Sequence, residues 1–266
     1  MSLLDNLETL YREYISVGHD GIIRNFRDGV EDTTSTTNLY LDPDHIEDGD
    51  DVKQQLEDQA PGISDEIWES LSQLAVLSSS DKEGMFDEIA NAFKDGGPAA
   101  LSHETLTTDD GTRICIINEP SRDVDQKEEL INAFSGHFDN LDKDRAESVP
   151  GGDIDYARAV GVHEGTHCEQ DDDEYLTQRE KEIDADEAAL KDQLSRGNTS
   201  VAKTIYEARE VGARNGADLD HQTADKIKFG ELKEQFYPEA RGARTEPSAQ
   251  PSGPQPKADA TFNAGM

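Results

Sequence analysis

Two histidines and a glutamate, spaced as HEGTH, are the residues with the clearest chemical potential in this sequence. His163 and His167 are four residues apart, so on a helix both imidazoles lie on one face and can bind the same cation. Glu164 lies beside that face, where it can hold a metal-bound water and act as a general base. The pattern predicts a zinc centre that polarises a carbonyl group and activates water.

A second motif supplies the third protein ligand that a catalytic zinc needs, and it leaves one position open for water. Glu182 and Asp186 are one helical turn apart in the segment EIDAD. Glu182 is predicted to bind the metal, while Asp186 accepts a hydrogen bond from the free ring nitrogen of a histidine ligand. Asp184 is the competing ligand, but it lies about 200° around the helix from Glu182.

The two motifs together resemble the HExxH…ExxAD pattern of gluzincin zinc metallopeptidases, over about residues 155–195. Their short separation is closer to that of compact cytoplasmic peptidases that act on phage repressors than to that of membrane-embedded prenyl-protein and heat-shock proteases. The resemblance implies Zn²⁺ as the cofactor and a protein or peptide as the substrate. It also implies His163, His167 and Glu182 as metal ligands, Glu164 as catalytic base and Asp186 in support of a histidine ligand.

Other groups near these motifs have more than one explanation. Zinc peptidases use an extra donor to stabilise the oxyanion, and the candidates are Tyr175, Tyr206 and His221, each of which has a structural role as the alternative. The acidic run Asp171–Glu174 is explained either by a solvated loop, or by a role near the metal in raising zinc affinity or favouring a basic substrate. The apolar strand Arg113–Asn118 either aligns a peptide along its edge or lies at the centre of a small sheet.

The elements that must position these residues are mostly helices. A hairpin is predicted from two β-rich runs, 103–108 and 112–118, that flank a turn. An acidic stretch, 28–58, is predicted to be loop with one short strand. Helical spacing of apolar residues predicts helices at about 2–16, 64–77, 81–93, 125–138, 153–167, 177–197, 200–214 and 218–236.

This pattern predicts an α+β fold, a helix-dominated zincin-like domain with a small sheet and hairpin before the active-site helix. Three regions are expected along the chain: an N-terminal helical, acidic region over 1–98, a zincin-like catalytic domain over 99–238, and a tail over 239–266. The tail is rich in Pro, Gly, Ala and Ser and is predicted to be disordered.

The net charge of −34 disfavours nucleic acid and anionic membranes as partners, because both are themselves negatively charged. No apolar run approaches the length of a membrane helix, and the N-terminus lacks the features of a signal peptide. A cytoplasmic location is therefore expected, with export by a route that needs no such signal left open. Cys115 and Cys168 are too few for a disulfide scaffold, and both are expected to be reduced.

The sequence favours a zinc-dependent metallopeptidase over two alternatives. One is a zincin-like binding or regulatory protein that keeps the metal and has lost catalysis. The other is an acidic protein, such as a nucleic-acid mimic, in which HEGTH is accidental. The aspartate-rich segments do not match the spacing of an EF-hand calcium loop.

Overall fold

The computed structural model describes most of the chain, and the predictions for about 2–16 and for the tail, 239–266, lie outside the described residues. Asp171–Glu174 and Tyr175 also lie outside them. The described residues are 18–71, 81–94, 98–107, 111–122, 126–135, 148–170, 177–215 and 220–238.

Nine α-helices and three strands account for most of the described residues, which confirms the helix-dominated α+β class. No helix in the described ranges has the length and apolar character needed to cross a bilayer. In chain order the elements are α1 (His19–Glu31), β1 (Thr37–Leu41), a short 3₁₀ turn (Pro43–His45), α2 (Gly49–Gln59), α3 (Ile63–Leu71), α4 (Lys82–Lys94), β2 (Ala99–Thr107), β3 (Arg113–Asn118), α5 (Gln126–Ser135), α6 (Asp153–Glu169), α7 (Gln178–Ser195), α8 (Thr199–Asn215) and α9 (Phe229–Phe236).

The three strands form one mixed sheet in the order β1-β3-β2. β2 and β3 pair antiparallel, which confirms the predicted hairpin, and β1 runs parallel to β3. Because β3 has a neighbour on each side, Arg113–Asn118 is the central strand, and the alternative in which it offers a free edge is wrong. β1 comes from the segment assigned to the N-terminal region, so that region and the metal-motif region share a sheet. Their division into separate domains stays a prediction.

Helices cover both faces of this sheet, because side chains of a strand alternate between its faces. Cys115 and Ile117 of β3 belong to a core shared with α1, α5, α6, α7 and α8. Ile114 and Ile116 belong to a second core shared with α2, α3 and α4. The metal motifs lie on the first side, so the sheet separates them from the second core.

Two glutamine side chains cover the outer edge of β1. Gln59 accepts a hydrogen bond from the Tyr40 amide and donates one to the Tyr40 carbonyl, at 2.8 and 2.6 Å. Gln55 does the same with the main chain of Asp42, at 2.8 and 3.2 Å. An amide carries both a donor and an acceptor, so each side chain replaces one peptide group of a neighbouring strand.

The helix α2 contradicts the predicted loop over 28–58. Its start carries a capping box, in which the Asp48 side chain binds the first-turn backbone and Asp51 binds the backbone of Asp48. Val52 and Leu56 of this helix are fully buried. The acidic composition conceals the helix because aspartate is also a helix-capping residue. The preceding helix, α1, is also absent from the sequence-based predictions, since two glycines interrupt its apolar pattern.

Glycines allow α1 to cross the metal-motif helix α6 at very short range. A Cβ atom added at Gly161 would lie 2.0 Å from the carbonyl oxygen of Phe26, and one at Gly29 would lie 2.4 Å from the carbonyl oxygen of Arg158. Gly165, within HEGTH, meets the backbone of Val30 in the same way, at 2.9 Å. Gly165 therefore allows α1 to pack closely against α6, although a glycine also lowers the helix propensity of α6.

A disulfide joins Cys115 of β3 to Cys168 of α6, so the prediction that both cysteines are reduced is wrong. Cys115 faces the α6 side of the sheet, and Cys168 lies in the last turn of α6 toward that sheet; both are fully buried. The bond closes a loop with a sequence separation of 53. By the chain-entropy relation, a loop of this length stabilises the fold by about 4 kcal/mol. The residue next to His167 is thereby fixed to the central strand.

Because α1 and α6 cross so closely, one added methyl group at the crossing should reduce the stability of the protein strongly. Gly161→Ala is expected to lower the free energy of unfolding by about 2 kcal/mol or more, because backbone atoms of α1 block the new Cβ. Urea unfolding followed by circular dichroism measures this change.

Gly230→Ala in α9 is the matched control, since nothing lies within 4 Å of its added Cβ. There the better helix propensity of alanine should leave stability unchanged or raise it by up to about 1 kcal/mol. Equal stability of the two variants would show that the close crossing does not exist in solution.

Candidate metal centre

The candidate site forms where α6 and α7 pack side by side. α6 is buried on all sides from Tyr156 to Thr166, so it is the central helix of the first core. α7 starts with the predicted capping box, in which Thr177 and Glu180 bind each other's backbone amides. Glu182 and Asp186 lie on the buried face of α7, toward α6.

The structure brings the three predicted metal ligands together. The Nε2 atoms of His163 and His167 are 3.1 Å apart. The Glu182 carboxylate lies 3.4 Å from each of them, through Oε2 to His163 and through Oε1 to His167. Ligands in a tetrahedral zinc site, each about 2.05 Å from the metal, are separated by about 3.3 Å. The three side chains therefore have the mutual spacing of three corners of such a site.

The chemistry of these donors also fits a divalent transition metal. Two imidazole nitrogens and one carboxylate oxygen are a known ligand set of catalytic zinc. Glu182 Oε2 is buried and has no hydrogen-bond partner among the described residues, as expected of an atom reserved for a cation. Within the described part of the chain, the cluster of side chains that could hold a metal consists of His163, His167 and Glu182. Asp184, the competing ligand, is not part of it.

Asp186 lies beside the imidazole of His163, where the sequence predicts a hydrogen bond. Its Oδ1 atom is 3.1 Å from His163 Nδ1, on the ring edge opposite the ligand nitrogen, in a close ionic contact that lacks hydrogen-bond alignment. Two further groups bind the same carboxylate: Thr223 Oγ1 donates to Oδ2 at 2.6 Å, and Arg209 Nη2 donates to Oδ1 at 2.7 Å. Asp186 is fully buried. Arg209 and Thr223 are absent from the sequence-based predictions.

Gln170 orients the second histidine. Its Oε1 atom lies 2.8 Å from His167 Nδ1, and its Nε2 donates to the carbonyl of Lys181 at 2.8 Å. One side chain thus connects the end of α6 to α7, one residue before Glu182. The spacing of Gln170, three residues after His167, is the only signal in the sequence that points to this contact.

Glu164, the predicted base, lies between α6 and the sheet. It is buried, and its carboxylate accepts a hydrogen bond from the main-chain amide of Ala100 on β2. Burial raises the pKa of Glu164, against the opposing influence of His163 and His167. A carboxylate with a raised pKa accepts a proton more readily, which suits a general base.

The electrostatics of the ligands show a strong demand for positive charge. Burial alone would lower the pKa of His163, but the neighbouring carboxylates of Asp186 and Glu182 outweigh burial and raise it to about 10. Burial opposes ionisation of Glu182 as well, yet both imidazoles hold its pKa well below the usual range. The pKa of Asp186 is likewise lowered, against burial, by Arg209 and His163. The carboxylates of Glu182 and Asp186 therefore favour the ionised form, stabilised by the positive groups around them.

The two described candidates for stabilising the oxyanion, His221 and Tyr206, differ in their distance from the metal ligands. His221 Nε2 lies 3.6 Å from Glu182 Oε2, and the His221 side chain is partly exposed. Tyr206 is in a structural position: its hydroxyl donates to the Ala224 carbonyl at 3.4 Å, and its ring stacks on Phe229. His221 is the described candidate that borders the metal ligands.

Comparison with known proteins adds no assignment, because no family model, no curated protein and no solved structure matches this chain. The resemblance to gluzincin metallopeptidases stays a prediction based on the two motifs. The site must therefore be judged from its own geometry.

Proposed function

We propose that this protein is a zinc-dependent metallopeptidase that hydrolyses peptide bonds. The observation that carries the proposal is the set of separations of 3.1, 3.4 and 3.4 Å between the ligand atoms of His163, His167 and Glu182. Glu164 lies one residue from the first ligand and has the buried carboxylate that such hydrolysis needs. Metal ligands, base and supporting carboxylate are all provided within two neighbouring helices.

A bound zinc ion supplies Lewis acidity toward the scissile carbonyl and lowers the pKa of water. Glu164 takes a proton from the attacking water and passes it to the leaving amine. The Ala100 amide holds the Glu164 carboxylate in place during both transfers. Asp186 and Gln170 keep the imidazoles oriented through their Nδ1 atoms.

The strand that carries Ala100 is also suited to hold an extended substrate. β2 pairs with β3 on one side, and in the described residues no strand pairs with its other side. A peptide that added to β2 by main-chain hydrogen bonds would run past Glu164. This geometry fits a protein or peptide substrate, and it requires no particular side-chain sequence.

His221 is the residue we assign to stabilisation of the oxyanion. Its imidazole borders the ligand carboxylate at 3.6 Å from Glu182 Oε2 and is partly open to solvent. A donor at this position can reach an oxygen that gains charge beside the metal ligands.

The disulfide bond indicates the kind of cellular compartment in which the folded protein is found. The cytoplasmic location stays a prediction. The bond between Cys115 and Cys168 favours the other alternative, an oxidising compartment, because cytosolic thiols are kept reduced. We therefore place the folded protein outside the reducing cytosol.

Glu164→Gln tests the proposed reaction. The wild-type protein is expected to hold one zinc ion per chain and to cleave labelled, unfolded casein. The variant should keep its zinc and lose about 10²- to 10⁴-fold in kcat/KM, because it removes only the proton transfer. Metal content by atomic emission and a fluorescence cleavage assay provide the two measurements.

Glu207→Gln is the control for this experiment, since Glu207 is exposed on α8 and pairs with the exposed Lys203 one turn away. It should match the wild type in both assays. A wild-type protein without zinc would refute the proposal. Stoichiometric zinc without cleavage of any substrate would instead identify a zincin-like binding protein.

His221→Ala tests the oxyanion assignment. The variant is expected to lose about 10²- to 10³-fold in kcat, with little change in KM and with full zinc content, because the lost interaction forms only in the transition state. Steady-state kinetics on the same casein substrate separate the two constants. A change confined to KM would assign His221 to substrate binding.

Trapping of thiols inside intact cells tests the compartment. Cells of the natural host are quenched with acid and alkylated before lysis, and the mass of the chain is then measured. We expect Cys115 and Cys168 to remain unmodified. Two added alkyl groups would show that the bond is absent in the cell and would support the cytoplasmic prediction.

A further inference from the structure

Arg209 is a fully buried cation that belongs to neither sequence motif. It lies on α8, its side chain is 1% exposed, and it is the largest of the fully buried side chains in the described residues. Its Nη2 atom donates to Asp186 Oδ1 at 2.7 Å and lies 3.7 Å from Glu182 Oε2. One guanidinium therefore contacts both carboxylates of the second motif.

Packing alone does not explain an arginine at this position. The same face of α8 presents Ala202, Ile205 and Ala208 to the first core, so an apolar side chain would continue the pattern. Burying a guanidinium is costly unless ionic partners compensate. Nε and Nη1 of Arg209 have no hydrogen-bond partner among the described residues, so the compensation comes from the carboxylates.

The charge of the site shows what this arginine contributes. Glu164, Glu182 and Asp186 are three buried carboxylates. Arg209 places a positive charge beside two of them, Glu182 and Asp186. Buried charge without a partner is strongly unfavourable, so the guanidinium helps these two carboxylates to remain buried.

The guanidinium is held from its other side by an aromatic ring. Its central carbon lies 5.6 Å from the centroid of the Phe134 ring on α5. The same ring packs edge-on against the imidazole of His163, with centroids 5.7 Å apart. Arg209 and His163 are thus fixed against one another through Asp186 and through Phe134.

We propose that Arg209 is the positioning residue of the metal site. Its guanidinium holds the Asp186 carboxylate under His163 Nδ1 and restrains the Glu182 carboxylate, so that Nε2 of the histidine and the Glu182 oxygens converge. Arg209 touches neither the substrate nor the cation. The inference rests on the metal site of the proposed function and does not depend on turnover.

The direction of one measured change separates this role from a simple effect of charge. Coulomb's law predicts that removing a nearby cation tightens the binding of a second cation. Loss of positioning predicts the opposite, because metal affinity falls by about 10- to 100-fold when the groups that orient a ligand are removed.

The test compares Arg209→Met with Arg158→Met in the full-length protein. Arg158 is a matched control: it is also buried, it lies on α6, and it pairs with Asp192 of α7 at 2.9 Å, away from the metal ligands. Both variants lose a buried ion pair and are expected to lose stability. The zinc dissociation constant is measured by competition with a chromophoric chelator, and the visible absorption of the Co²⁺-substituted protein reports the ligand geometry.

We expect Arg209→Met to weaken zinc binding by about 10- to 100-fold and to alter the Co²⁺ spectrum. Arg158→Met should match the wild type in both measurements. Arg209→Lys keeps the charge without the planar fork and should recover part of the affinity. Unchanged or tighter zinc binding in Arg209→Met, with an unchanged spectrum, would overturn the inference.

Thr223→Val provides a second variant in case Arg209→Met does not fold. It removes the hydroxyl that binds Asp186 Oδ2 and should weaken zinc binding in the same direction, by up to about tenfold. Unchanged zinc affinity in both Thr223→Val and Arg209→Lys would also overturn the inference. A wild type that binds zinc but cleaves nothing would refute the peptidase and leave the role of Arg209 intact. A wild type that binds neither Zn²⁺ nor Co²⁺ would refute both.

Discussion

Three carboxylates, those of Glu164, Glu182 and Asp186, are buried together in a chain whose net charge is −34. Charges of one sign repel one another strongly in a medium of low dielectric constant, so they can remain there only with positive partners close by. One guanidinium meets part of this requirement, and the proposed metal ion, held by Glu182 and two neutral imidazoles, meets the rest. The arrangement of α6, α7 and α8 follows from it, because each helix contributes charges that the others require.

The sequence predicts the parts of this site that lie within one helix or between two successive helices. HEGTH places two imidazoles one turn apart, and EIDAD does the same for two carboxylates, because the spacing of a helix is known in advance. The capping box at Thr177 marks where the second helix begins. The hairpin before the site is equally local, since its β-branched runs flank a short turn. Each of these features depends on neighbours in sequence.

The parts that the sequence does not predict depend on contacts between distant segments. Arg209 follows Asp186 by 23 residues and Thr223 follows it by 37, and neither has a spacing that a helix would explain. The disulfide joins residues 53 apart, and two cysteines in an acidic chain carry no signal of their pairing. α2 is hidden because its capping aspartates look like those of a loop. In each case the feature depends on contacts in the folded structure that local sequence patterns do not reveal.

The glutamine side chains on β1 have a consequence for the behaviour of the protein in concentrated solution. An exposed strand edge is a template on which another chain can add, and self-assembly of this kind leads to fibrils. Gln55 and Gln59 occupy the groups of Tyr40 and Asp42 that a foreign strand would need. Strand addition to this sheet is thereby directed to β2, where the proposed function requires a peptide that binds reversibly.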